Sequence, residues 1–244
     1  MTCQAGNLLF HIHRVPYGAR FFVDYNIFME DTYFQEFKKQ SDEQLAELHP
    51  SDIVPFMGEP VPDNYTIVVR PSPEIAEAVH KLTDEFRQID TGQFYYAPRN
   101  LHMTIYGGVP MDLPLEEFIA RTAPVIANYR MKFSVKGLGS NGYCSSVHLF
   151  PDGFSVHQLR EQLRTAVGHH GQRYDSILSR YEYVGWMNYL RYTRTPEPRL
   201  IELLKLNRDR DFGQLEYPRI ELYKATSKVL NYLPGDESLY TYTQ

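Results

Sequence analysis

The feature that most constrains this chain is a strand–helix order stated once and then repeated. Tyr65-Thr66-Ile67-Val68-Val69 is a β-branched run, and Ser72 then Pro73 supply a helix N-cap and a proline at the first helical position. Apolar Ile75, Val79, Leu82, Phe86 and Ile89 follow at steps of three and four, the period of an amphipathic helix. Leu101–Tyr106 alternates, closes on Gly107-Gly108, and leads into a second helical period over Pro114–Asn128, with Leu115, Phe118, Ile119, Thr122 and Ile126 on one side. Lys132–Leu138 and Ser145–Phe150 read as hairpin strands around Asn141-Gly142. Ser155 with Gln158 three residues on opens a third helix striped by Leu159, Leu163 and Val167. Tyr183–Tyr192, Pro198–Asn207 and Arg219–Tyr223 complete the series as strand, helix and strand.

That order predicts an α+β fold: two pseudo-symmetric α/β lobes whose antiparallel sheets face each other across a central cleft, with helices outside. Residues 61–226 form this bilobal domain. Residues 1–60, rich in Tyr and Phe and with a helical stretch near Asp31–Leu48, read as an extension packed on it, and 227–244 as a C-terminal tail.

Composition removes several function classes. With 43% hydrophobic and 23% charged residues the chain is too apolar to be disordered. A net charge of -5 leaves no whole-protein field to gather duplex nucleic acid, so an anionic ligand has to be held locally. No run of ~18 apolar residues suits a membrane. Cys3 and Cys144 build no disulfide framework, and with no export signal the expected compartment is the cytoplasm. The 19 tyrosines suit either the edge of a core or a groove that stacks bases. There is no G-x-S-x-G elbow and no Walker loop. Nothing in the sequence speaks to oligomeric state.

The chemistry centres on Leu101-His102-Met103-Thr104-Ile105-Tyr106. Period-2 alternation puts Leu101, Met103 and Ile105 on one face and His102, Thr104 and Tyr106 on the other. An imidazole beside a hydroxyl on one strand face suits phosphodiester work, because the first moves a proton while the second holds a phosphate oxygen. The structural alternative is a strand face that merely carries these two residue types.

In its setting, from Pro98 to Gly108 after one strand–helix unit and before another helix, this segment resembles the first signature of the 2H phosphoesterase (LigT-like) superfamily, over roughly residues 65–225. The resemblance implies two His-x-Thr/Ser motifs, one per lobe, lining a metal-free cleft and acting on 2′,3′-cyclic, 2′–5′ or related phosphodiesters. One His serves as general base and the other as general acid. On that basis His102 and Thr104 fill one half-site. The second belongs on Tyr183–Tyr192, which contains no histidine. Counting back from Leu190 puts Met187 in the histidine position and Tyr189 in the hydroxyl position, with Arg191 on the same face. Tyr106, Tyr189, Arg191 and His148 are the expected phosphate or substrate ligands, His148 being the nearest substitute for the absent histidine.

His11-Ile12-His13 has paired-strand spacing but no third ligand nearby, so no metal and no cofactor is expected. His169-His170 follows a helix and reads as a partner of its C-terminus. The functional expectation is metal-independent hydrolysis of a small nucleotide or RNA-end phosphodiester, with neither duplex nor membrane as partner. A catalytically impaired nucleotide-binding protein and a purely structural protein that kept the fold are the alternatives.

Overall fold

The computed structural model describes residues 21–55, 60–168, 182–227 and 236–243. His11, His13, His169 and His170 lie outside them. The elements in chain order are α1 (Phe21–Glu47), β1 (Pro60–Val69), α2 (Pro73–Ile89), β2 (Phe94–Tyr95), β3 (Met103–Pro110), α3 (Leu115–Ala127), β4 (Lys132–Ser140), β5 (Cys144–Pro151), α4 (Val156–Val167), β6 (Gly185–Arg191), α5 (Pro198–Leu206), β7 (Asp211–Glu216), β8 (Ile220–Ser227) and β9 (Glu237–Tyr242). The α+β class is met. The short β2 and the strands β7 and β9 had no clear alternation to announce them, and β9 lies within the segment read as a tail. Strand β1 begins at Pro60, ahead of the β-branched run that starts at Tyr65.

Local chemistry explains the helix ends. The Ser72 hydroxyl accepts from the Ile75 amide at 3.4 Å, and the Ser155 hydroxyl from the Gln158 amide at 3.2 Å, each meeting an amide that the first helical turn leaves unpaired. Ile75, Val79, Leu82 and Phe86 of α2 and Leu159, Leu163 and Val167 of α4 are buried as their spacing requires. At the hairpin, the Asn141 side-chain oxygen accepts from the amides of Tyr143 and Cys144, and Gly142 takes a φ of 81°.

The strands pair in the order β7-β4-β5-β6-β3-β1-β8-β9, with β2 alongside β6, in one antiparallel sheet. The two lobes are therefore two halves of one sheet. They meet where β3 pairs with β6 through Met103 and Met187. Partners across a ladder share a face, so this pair ties the two halves' face assignments together. Val69, Met103, Met187 and Val147 belong to a helix-backed face. Val68, Thr104 and Glu221 belong to the other, called here the His102 face.

Arg160 of α4, fully buried, fastens the seam. Its guanidinium donates to the carbonyls of Ile105 (2.9 Å) and Thr104 (3.2 Å) on β3, and to those of Glu182 (2.8 Å) and Val184 (3.5 Å) ahead of β6. It also lies 5.7 Å from the Trp186 ring, a cation–π distance. Among the described residues β3 and β6 share only the Met103–Met187 pair, and the donors of one arginine tie the two segments together beside it.

Gly137-Leu138-Gly139-Ser140-Asn141-Gly142 has the glycine spacing of a dinucleotide fingerprint, but it runs from β4 into a hairpin instead of a helix. Gly139 serves packing: a Cβ there would sit 2.5 Å from His148 Nε2 and 2.9 Å from the Ser41 hydroxyl. Helix α1 thus lies against the His102 face of the β4–β5–β6 half, where Phe37 stacks edge-on to His148 (4.9 Å) and Phe150 (6.1 Å).

Candidate functional site

His102 is the last residue before β3, held there by the short helical turn Pro98–Asn100. Its Nδ1 lies 2.8 Å from the Asn100 carbonyl oxygen. A carbonyl can only accept, so Nδ1 carries the proton and Nε2 the lone pair in the neutral ring. Burial pushes the His102 pKa down from 6.5 to about 4; the Asn100 hydrogen bond opposes this, while the positive charges of Arg70 and Arg191 add to it. At neutral pH the imidazole is uncharged and able to accept a proton.

Arg70, one residue beyond β1, is buried with every arm engaged. Nε donates to Glu221 at 2.7 Å, one terminal nitrogen to the Leu101 carbonyl at 3.1 Å, and the other to the Tyr223 hydroxyl. The sequence reading missed Arg70, although the period-2 count through Thr66 and Val68 carries it onto the His102 face. Thr104, half-buried, opposes Val68 on that face, and its hydroxyl makes no hydrogen bond among the described residues.

Arg191 reaches the same neighbourhood by an irregularity. Between Ser146–Asn188 and Ser145–Leu190 the β5–β6 register slips by one residue, with Tyr189 as the extra one. A bulge reverses the alternation beyond it. Arg191 then opposes Cys144 and lies with Asn188 and Trp186 on the His102 face, while Tyr189 is buried against Phe86 of α2, ring centroids 6.0 Å apart. Arg191 Nε donates to the Tyr96 hydroxyl at 3.0 Å, and the Tyr96 ring stands 6.2 Å from that of His102.

Several expected ligands are placed elsewhere. Tyr189, counted onto the phosphate-binding face with Met187 and Arg191, does lie with Met187, but Met187 opposes Met103, so that face is the helix-backed one, and the bulge turns Arg191 away from it. Tyr106, counted onto the face of His102 and Thr104, opposes Ile67 on the helix-backed face. Here the cause is a bulge: β1 and β3 slip register between Ile67–Tyr106 and Val68–Thr104. Desolvation raises the Tyr106 pKa to about 12, outvoting the opposing charge of Arg164. His148 does face the His102 side, opposite Trp186, but is buried beneath Phe37 of α1.

The second motif also changes frame. Met103 opposes Met187, so the residues corresponding to His102 and Thr104 are Trp186 and Asn188, one position earlier than the count from Leu190 gives. Neither can exchange a proton near neutrality. The Asn188 side-chain oxygen lies 3.2 Å from the Cys144 thiol.

Among the described residues, His157, Glu161 and Glu182 bring ligand atoms within 4.8 Å of one another. Arg164 bridges the two carboxylates, at 2.5 Å to Glu161 and 2.6 Å to Glu182, so a cation would have to displace it.

These features define an antiparallel α+β protein with a basic, histidine-bearing strand seam. No family model matches the chain, and no curated protein matches it. Among solved structures it is similar to TT0787 of Thermus thermophilus, with 16% identity and a TM-score of 0.50, over 73% of this chain and 96% of that one. It is also similar to the conserved protein of unknown function ATU0111 from Agrobacterium tumefaciens, with 14% identity and a TM-score of 0.44 over 70% of this chain and 86% of that one. E. coli LigT complexed with ATP shows 13% identity and a TM-score of 0.44, over 75% of this chain and all of that one. The likeness to TT0787, at 16% identity, is one of fold.

Proposed function

We propose that the chain is a 2H-phosphoesterase-like protein that holds a small phosphodiester or RNA end, of 2′,3′-cyclic or 2′–5′ type, on the His102 face and hydrolyses it without a metal ion. The observation that carries this reading is the state of His102: a neutral imidazole, oriented through Nδ1–H by Asn100, beside the guanidinium groups of Arg70 and Arg191. Two guanidinium groups match the oxygens of a bound phosphodiester and stabilise charge that grows on them during attack. Nε2 acts as general base, taking a proton from water or a ribose hydroxyl, and the Thr104 hydroxyl donates to a phosphate oxygen. The depressed basicity of His102 limits this step. A bound phosphate anion between the arginines offsets their charge and returns some of that basicity. A buried free thiol at Cys144 suits the reducing cytoplasm proposed as its compartment.

The second reading, a catalytically impaired nucleotide- or phosphate-binding protein, is favoured by Trp186 and Asn188. With no imidazole there, the leaving oxygen must take its proton from water, and losing such a partner commonly costs about 10²–10⁴-fold in rate. The two readings separate in a single-turnover assay with a 2′,3′-cyclic nucleotide in excess EDTA. Slow ring opening that His102→Ala abolishes supports the enzyme. Saturable binding without turnover selects the binding protein, and neither binding nor turnover rejects both.

A further inference from the structure

Beyond the His102 face, at the same end of the sheet, lies a cavity of about 570 Å³ walled by the turn into α2, the Pro98–Asn100 helical turn and the β7–β8 connection. Three guanidinium groups line it: Arg70, Arg99 and Arg219. One carboxylate, Glu221, answers two of them, at 2.7 Å to Arg70 and 3.0 Å to Arg219. Arg99 has no ion pair among the described residues. The acidic side chains in the wall are turned to lysines outside it, Glu216 to Lys132 at 3.1 Å and Glu77 to Lys81 at 4.0 Å. In a chain of net charge -5 this is a local concentration of positive charge within a space of small-molecule size.

The rim carries an independent sign. Tyr217 is the one non-glycine residue at positive φ (45°) among the described residues, and it is 63% exposed, lining the cavity with Arg219. An L-residue with a large side chain occupies this region at a conformational cost, and burial of the ring returns nothing. An aromatic held outward over an arginine-lined cavity suits stacking against a base.

We infer that this cavity binds a nucleoside monophosphate, its phosphate held by Arg99 and Arg219 against the anchored Arg70, and its base stacked on Tyr217. The site shares Arg70 with the proposed phosphodiester site but needs no proton transfer at His102, so it has its own test. Titration calorimetry on the full chain uses adenosine 5′-monophosphate, inorganic phosphate and adenosine as probes. The monophosphate binds more tightly than phosphate, and its affinity falls with added salt. Arg99→Ala and Arg219→Ala, both at exposed or half-exposed positions, each weaken the monophosphate and phosphate by roughly tenfold or more. Tyr217→Gly weakens the monophosphate but not phosphate, and leaves the melting temperature unchanged or higher. His102→Ala leaves monophosphate affinity intact. Affinity that survives both arginine substitutions, affinity lost in His102→Ala alone, or no binding at low salt overturns the inference.

Discussion

At the scale of single residues, His102 sets a pH dependence whose sign follows from its surroundings. Its pKa falls from 6.5 in the open chain to about 4 in the fold. Between those values the unfolded chain binds a proton that the native state refuses, so stability rises with pH across the window. The contribution is complete above pH 6.5 and is lost as pH falls towards 4, amounting to about 3 kcal/mol. Urea unfolding at pH 7 and pH 4.5 should show this decline in the wild type and a shallower one in His102→Gln. Equal slopes would mean that His102 is not the desolvated group. Gly139 offers a steric counterpart. The methyl of Gly139→Ala would meet His148 and Ser41 well inside van der Waals contact, so the substitution should destabilise by about 1–3 kcal/mol and loosen α1.

At the scale of elements, the seam and its cover matter most. Arg160→Met should cost about 3–5 kcal/mol in equilibrium unfolding, because carbonyls of Thr104, Ile105, Glu182 and Val184 lose their donor inside the protein. Arg160→Lys should recover only part of this, since an ammonium cannot span both strands. A near-neutral Arg160→Met would show that water fills the seam. Phe37→Ala removes the ring that covers His148 and Phe150, and should cost about 3–5 kcal/mol. Trp186 belongs to the same cluster, so its emission should shift to the red. An unchanged spectrum would mean that α1 does not seal this face.

At the scale of the whole molecule, the two half-sheets share one hydrophobic core that runs from β1 and α2 through Met103 and Met187 to β4 and α4. They should therefore unfold together. Trp186 fluorescence reports the β6 half and far-UV circular dichroism reports the whole; their urea transitions should coincide, while separated midpoints would mark independent lobes. Much of this architecture was legible beforehand. The apolar steps from Ile75 to Phe86, the caps Ser72 and Ser155, and the Asn141-Gly142 turn each act within a few residues, so local chemistry was enough to read them. His102 and Thr104 sharing a face was legible for the same reason. Tyr106 and Arg191 were not, because a bulge is a property of two strands in register, and one inserted residue reverses every side chain beyond it; Tyr189 was not, because its face follows from the pairing of Met187 with Met103. What the sequence alone determined was the order of the main strand–helix units, the caps and the one intact His-x-Thr strand. Only the tertiary structure decided that Met103 faces Met187, that Arg70 and Arg191 converge on His102 and that α1 buries His148, because each depends on pairing and packing between segments far apart in the chain.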